Sequence, residues 1–99
     1  MKIYCYSNYD VLGDFYSPIF CDQIKPEDLK TAYWQMLFNY NDDTLNKLKN
    51  HDLYLIAEFD NITGEIISKK DFLLHIDEVI NVVKIKRGLK EDNGNKQEN

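Results

Sequence analysis

Acid–base chemistry is the first thing the residue types in this chain could support. Asp52, Glu58, Asp60 and Glu65 gather around the stretch His51 to Ile67, HDLYLIAEFDNITGEII. Paired carboxylates can serve as general acid and base, or can hold a divalent cation. Neither use fits this spacing. A calcium loop needs alternating Asp or Asn ligands, a central glycine and a closing glutamate. No His or Cys accompanies the carboxylates at a spacing that would supply a zinc ligand, a matched base or a nucleophile. They read as solvated strand edges and turn caps, and no catalytic, cofactor-binding or metal-ligating residue is assigned.

Thiol chemistry is the second candidate. Cys5 and Cys21 stand on either side of Gly13 at equal separations. A hairpin turning near Gly13 would place them opposite each other. Neither has a second ligand at C-x-x-C or H-x-x-x-H spacing, so a metal site is disfavoured. In a reducing compartment such a pair stays as two packed thiols, which is the expected state.

Charge bounds the partners. The net charge of −5 argues against a protein that coats a phosphate backbone with its whole surface. The distribution is uneven, with five lysines against eleven carboxylates over residues 1–68 and six basic against three acidic residues over 69–90. Contact with nucleic acid would therefore use the C-terminal third. No run of about 18 apolar residues exists to span a membrane. The opening MKIYCYSNYD turns polar at once and lacks a signal-peptide core, so a cytoplasmic protein is expected.

The elements that would position these residues follow from patterning. Seven tyrosines and five phenylalanines suit sheet faces and interfaces. Lys2 to Tyr9 alternates as a strand, with Tyr4 and Tyr6 on one face and Ile3 and Cys5 on the other. After a turn at Asp10 to Asp14, the segment Phe15 to Cys21 resumes an extended pattern in which Pro18 demands an edge position. Pro26, Glu27 and Asp28 start a helix. Leu29, Ala32, Tyr33, Met36, Leu37 and Tyr40 then form its apolar stripe. Trp34 and Phe38 lie beside the stripe, either as the wide edge of the core, which is favoured, or as a partner surface. A short helix over Thr44 to Lys49 follows. Leu53 to Phe59 is apolar on both alternating sets and reads as a central strand covered on both sides. Asn61 to Gly64 has the pattern of a type I turn closed by a left-handed glycine. Glu65, Ile66 and Ile67 return antiparallel. Ser68 would cap a last helix over 70–86, carrying Phe72, Ile76, Val79, Ile80 and Val83 on one face and His75 on its surface; the β-branched run Val79 to Ile85 leaves a strand open there. Gly88 is the expected stop. The fold class is therefore α+β: one small domain over 1–88, an antiparallel sheet of about three or four strands packed by a main amphipathic helix and a C-terminal helix, with a flexible polar tail over 89–99.

A family resemblance rests on Tyr9-Asp10, Pro18 with Phe20, Asp52-Leu53-Tyr54, Glu58-Phe59-Asp60 and Thr63-Gly64. In this order they resemble the small nonstructural protein of the gokushovirus branch of the Microviridae, icosahedral single-stranded DNA phages. The likeness covers roughly residues 1–76 and is strongest at the hairpin. Ala57 stands where that family usually has glycine, and the basic segment 77–99 is not covered. The resemblance implies a non-enzymatic phage accessory protein, in the host cytoplasm and absent from the mature virion, acting in single-stranded genome synthesis or packaging. Its expected partners are single-stranded DNA and phage or host replication and packaging proteins, with no cofactor. If DNA is touched directly, Lys69, Lys70, Lys84, Lys86 and Arg87 would neutralise phosphates, and Tyr4, Tyr6 or Tyr16 would stack bases. The competing reading is a protein-interaction module that binds a host factor or capsid precursor through Trp34 and Phe38, with no direct DNA contact; a homodimer is the further partner this reading allows.

Overall fold

β1 (Lys2–Asp10) is the strand on which the sheet is assembled. The structure, a computed structural model, describes the backbone of residues 1–98 and the side chains of residues 1–88. Along one side β1 pairs antiparallel with β4 (His51–Asp60), from Lys2↔Asp60 to Asp10↔His51. Along its other side it takes two short strands, β2 (Phe15–Tyr16) and β3 (Phe20–Asp22). Pro18 sits in the break between them, as a residue without an N–H should. β5 (Ile66–His75) pairs antiparallel with β4, giving a five-stranded sheet of order β2-β1-β4-β5 with β3 also against β1. The expected α+β domain is thus present, with more strands than expected.

Among the described residues three helices complete it: α1 (Pro26–Phe38), α2 (Asp42–Lys47) and α3 (Ile76–Glu98). Pro26 occupies the first turn of α1 with Glu27 and Asp28, and the Asn41 side chain caps α2 by accepting from the Thr44 N–H. α1 packs on α3, and the two cover one face of the sheet against β4 and β5. The core lies in that layer: Tyr6, Leu53, Leu55 and Leu74 from the sheet, Leu29, Leu37 and Leu45 from α1 and α2, and Ile76, Val79, Ile80 and Val83 from α3. Burying each large aliphatic side chain contributes roughly 1.5–3 kcal/mol. The Tyr6 hydroxyl donates to the Ile24 carbonyl at 2.6 Å, tying β1 to the segment that leads into α1.

Several expectations need correcting. The last helix does not begin at residue 70. Residues 66–75 form β5, Ser68 pairs with Ala57 instead of capping a helix, and α3 starts at Ile76 with Asp77 and Glu78 in its first turn. The run Val79 to Ile85 is helical, and Gly88 does not end the helix, whose backbone continues to Glu98. The polar tail expected over 89–99 falls on residues whose side chains lie outside the described set. β4 is central, but among the described residues helices cover only one of its faces. The α1 stripe is rotated toward Trp34, which packs on the core, and leaves Met36 exposed.

Candidate nucleic-acid interface

The uncovered face of the sheet is defined by pairing. Directly paired residues project to the same side, so the register Tyr16↔Tyr9↔Asp52↔His75 and the register Ser7↔Tyr54↔Phe72 each lay their side chains along one face. That face is opposite to Asn8, Leu53 and Leu74, whose register belongs to the helix-covered core. The result is a continuous aromatic row. Ring centroids are 4.8 Å apart for Tyr9–Tyr16, 5.7 Å for Tyr16–Tyr54 and 5.8 Å for Tyr54–Phe72, the last two edge to face. Phe72 is 55% exposed and Tyr16 39%. Both offer ring surface to solvent on a rigid strand framework.

Beside the row, Tyr16, Ile19 and Ile56 with Lys69, Lys70 and the fully buried Ser7 line an open depression of about 340 Å³. Ser7 Oγ donates to the Ser17 carbonyl at 2.6 Å, and the Ser17 N–H donates to the Asn8 carbonyl at 2.8 Å, which holds the connecting segment over β1. Lys70 Nζ stands 5.7 Å from the Tyr16 ring centroid, a cation–π geometry. Lys69 reaches Glu58 at 3.8 Å, and Lys2 shares the same carboxylate at 3.7 Å. Next to Tyr16 in the row, the Tyr9 hydroxyl donates to Asp14, which pushes the phenol up to about 12. Tyr9 therefore stays neutral across the ordinary pH range.

The expected site residues divide. Lys69, Lys70 and Tyr16 come together at the depression. Tyr6 does not join them: it is fully buried on the opposite face, where burial before other causes raises its phenol to about 12. Tyr4 is half-buried against the core with its ring stacked 6.5 Å from Tyr6. Tyr6 offers no ring surface to a base, and Tyr4 faces away from the row, on the side of the sheet that packs against the helices. Lys84, Lys86 and Arg87 sit in the helical layer and are engaged there. Arg87 binds Asp42 Oδ1 at 2.9 Å and donates to the Phe38 and Tyr40 carbonyls, clamping α3 to the α1–α2 corner. Lys84 donates to Asn46 Oδ1 at 3.2 Å, and Lys86 lies 5.2 Å from the Phe38 ring centroid. Trp34 is half-buried on the core and Phe38 is 37% exposed under Lys86.

The sequence reading missed Tyr54 and Phe72 as surface aromatics, taking one for a fully covered strand and the other for a helix. A usable signal existed: a hairpin partner should match the ten residues of β4, which would have carried β5 through Phe72 to His75. Of the hairpin carboxylates, Asp60 caps its turn as expected, whereas Asp52 and Glu58, 16% and 15% exposed, are not solvated edges: Asp52 meets His75, and Glu58 bridges Lys2 and Lys69. Asp60 Oδ1 accepts from the Ile62 and Thr63 N–H groups at 2.9 and 3.2 Å, and these bonds hold its carboxyl below the usual carboxylate value. No group of three or more His, Cys, Asp or Glu residues able to hold a metal occurs among the described residues. No helix among them is long and apolar enough to cross a membrane. No family model matches the chain, and neither a curated protein nor a solved structure does.

Proposed function

We propose that this chain is a non-enzymatic accessory protein that binds single-stranded nucleic acid across the uncovered face of its sheet. The observation that carries the reading is the aromatic row ending in exposed Tyr16 and Phe72, with Lys70 over Tyr16 and Lys69 beside it. Bases stack on aromatic rings without regard to sequence, and lysines at the rim neutralise the phosphates that follow. The resemblance to the gokushovirus nonstructural protein supplies the setting: phage single-stranded DNA during genome synthesis or packaging, in the host cytoplasm. The Trp34/Phe38 flank offers a protein partner less, since Trp34 is packed on the core and Lys86 lies over Phe38.

Fluorescence anisotropy with a labelled oligothymidylate at two salt concentrations tests this. Binding should weaken as salt rises. Phe72→Ala and Tyr16→Ala should each cost roughly 1–3 kcal/mol of affinity, about five- to 150-fold. Lys69→Ala and Lys70→Ala should each lower the salt slope by about 0.7. Lys86→Ala, on the other side of the molecule, should bind as wild type. Absence of binding at low salt sinks the proposal, and so does a Lys86→Ala loss equal to that at Lys70.

A further inference from the structure

We propose that Cys5 and Cys21 form a redox-modification site, closing a reversible intramolecular disulfide that fastens the 15–22 segment to β1. The site does not depend on the nucleic-acid reading. Cys5 and Cys21 are direct partners in the β1–β3 ladder, flanked by Tyr4↔Asp22 and Tyr6↔Phe20. Side chains of such partners share a face with Cβ atoms about 4.5–5.5 Å apart, close to the separations a disulfide spans. Both are free thiols in this structure, and the Cys21 thiol donates to Cys5 Sγ at 2.8 Å. A bonded pair needs about 2.05 Å, so closure requires a small side-chain movement and no change of strand register.

The two thiols are inequivalent in a way that orders the steps. Cys21 is exposed and meets the oxidant, here a small-molecule disulfide such as oxidised glutathione. Its thiolate attacks one sulfur of that disulfide, forming a mixed disulfide and releasing the first small thiolate, which takes up a proton. Cys5 is half-buried; burial, then the Cys21 sulfur beside it, raises its thiol to about 11. It therefore acts second. Cys5 gives its proton to solvent and attacks Cys21 Sγ, forming the Cys5–Cys21 bond as the mixed disulfide breaks and the second small thiol leaves. The protein has lost two electrons and two protons, and the small disulfide has become two thiols. The closed loop contains β2, Tyr16 and Ile19, whose anchorage to β1 downstream of Pro18 is otherwise the three-residue β3 and the Tyr6–Ile24 bond.

The test equilibrates the full chain in graded ratios of oxidised to reduced glutathione, caps free thiols with a maleimide, and reads intact mass and peptide map. The expected product is a single chain two hydrogens lighter, with no maleimide uptake, a linked Cys5–Cys21 peptide and full return in reduced glutathione. Its Tm should rise on the order of 10 °C over the reduced form. Cys5→Ser should stop at a stable mixed disulfide on Cys21, and Cys21→Ser should react far more slowly. Wild-type chains that remain dithiol in excess oxidised glutathione, stay as mixed disulfides, or link to a second chain overturn the site. An unchanged or lower Tm on oxidation overturns its fastening role.

Discussion

His75 shows how much a single residue's meaning depends on its element. Read as a helix surface residue, it would carry no role. At the end of β5 its Nδ1 meets Asp52 directly, and its Nε2 lies 3.9 Å from Asp77. The bond to Asp52 is the main reason its imidazole is held above the ordinary value of 6.5. The folded chain therefore keeps the proton more tightly than the unfolded one. The stabilisation is complete below the unfolded histidine value of about 6.5 and is lost as pH rises through the higher folded value. The side chain is 38% exposed, so screening keeps the effect under about 1 kcal/mol. Urea midpoints should fall modestly from about pH 6 to about pH 9, and His75→Asn should remove that slope. An equal slope in the variant would assign the effect elsewhere.

Among the elements, the two hairpin turns share one plan. Asp10 Oδ1 accepts from the Leu12 and Gly13 N–H groups as Asp60 Oδ1 does from Ile62 and Thr63. The N–H of Asp14 returns to the Asp10 carbonyl, and that of Gly64 to the Asp60 carbonyl, both at 2.8 Å. Each turn closes on a left-handed residue, Asp14 at φ 58° and Gly64 at φ 77°. A Cβ on Gly64 would meet nothing within 4 Å, so Gly64→Ala isolates the backbone cost. Chemical denaturation should show a loss of about 1–2 kcal/mol. A neutral result would show that the turn relaxes. These turns, the start of α1 and the placement of Cys5 opposite Cys21 were legible because each is a local signal or follows from one. The β5–α3 boundary was not. Phe72, Ile76, Val79, Ile80 and Val83 happen to repeat at helical spacing, and Ser68 with Asp71 imitates a cap. Pairing with β4, contributed from an earlier part of the chain, decides instead, and it holds residues 66–75 extended. That one misplacement hid Phe72, and with it half of the candidate site.

For the whole molecule, the helices on one side leave the aromatic row on the other, and the basic residues divide between the two layers. β5 adds a property of its own. It is the outermost strand, and among the described residues nothing pairs with its far side. The outward-pointing N–H and C=O groups of this ten-residue strand form a template for strand addition by another chain, and Ile66, Ile67 and Phe72 are exposed along it. What guards this edge is the charged run Lys69-Lys70-Asp71 at its middle and the broken register between β4 and β5. The two lysines therefore have a colloidal duty independent of any ligand. A Lys69→Thr/Lys70→Thr variant should self-associate as concentration rises, visible by light scattering where the wild type scatters less. Equal scattering would show that the twist of the edge is sufficient protection. Purification tags and fusions are then better placed away from this strand, since a flexible extended peptide tethered beside it would be held at high local concentration against an open template.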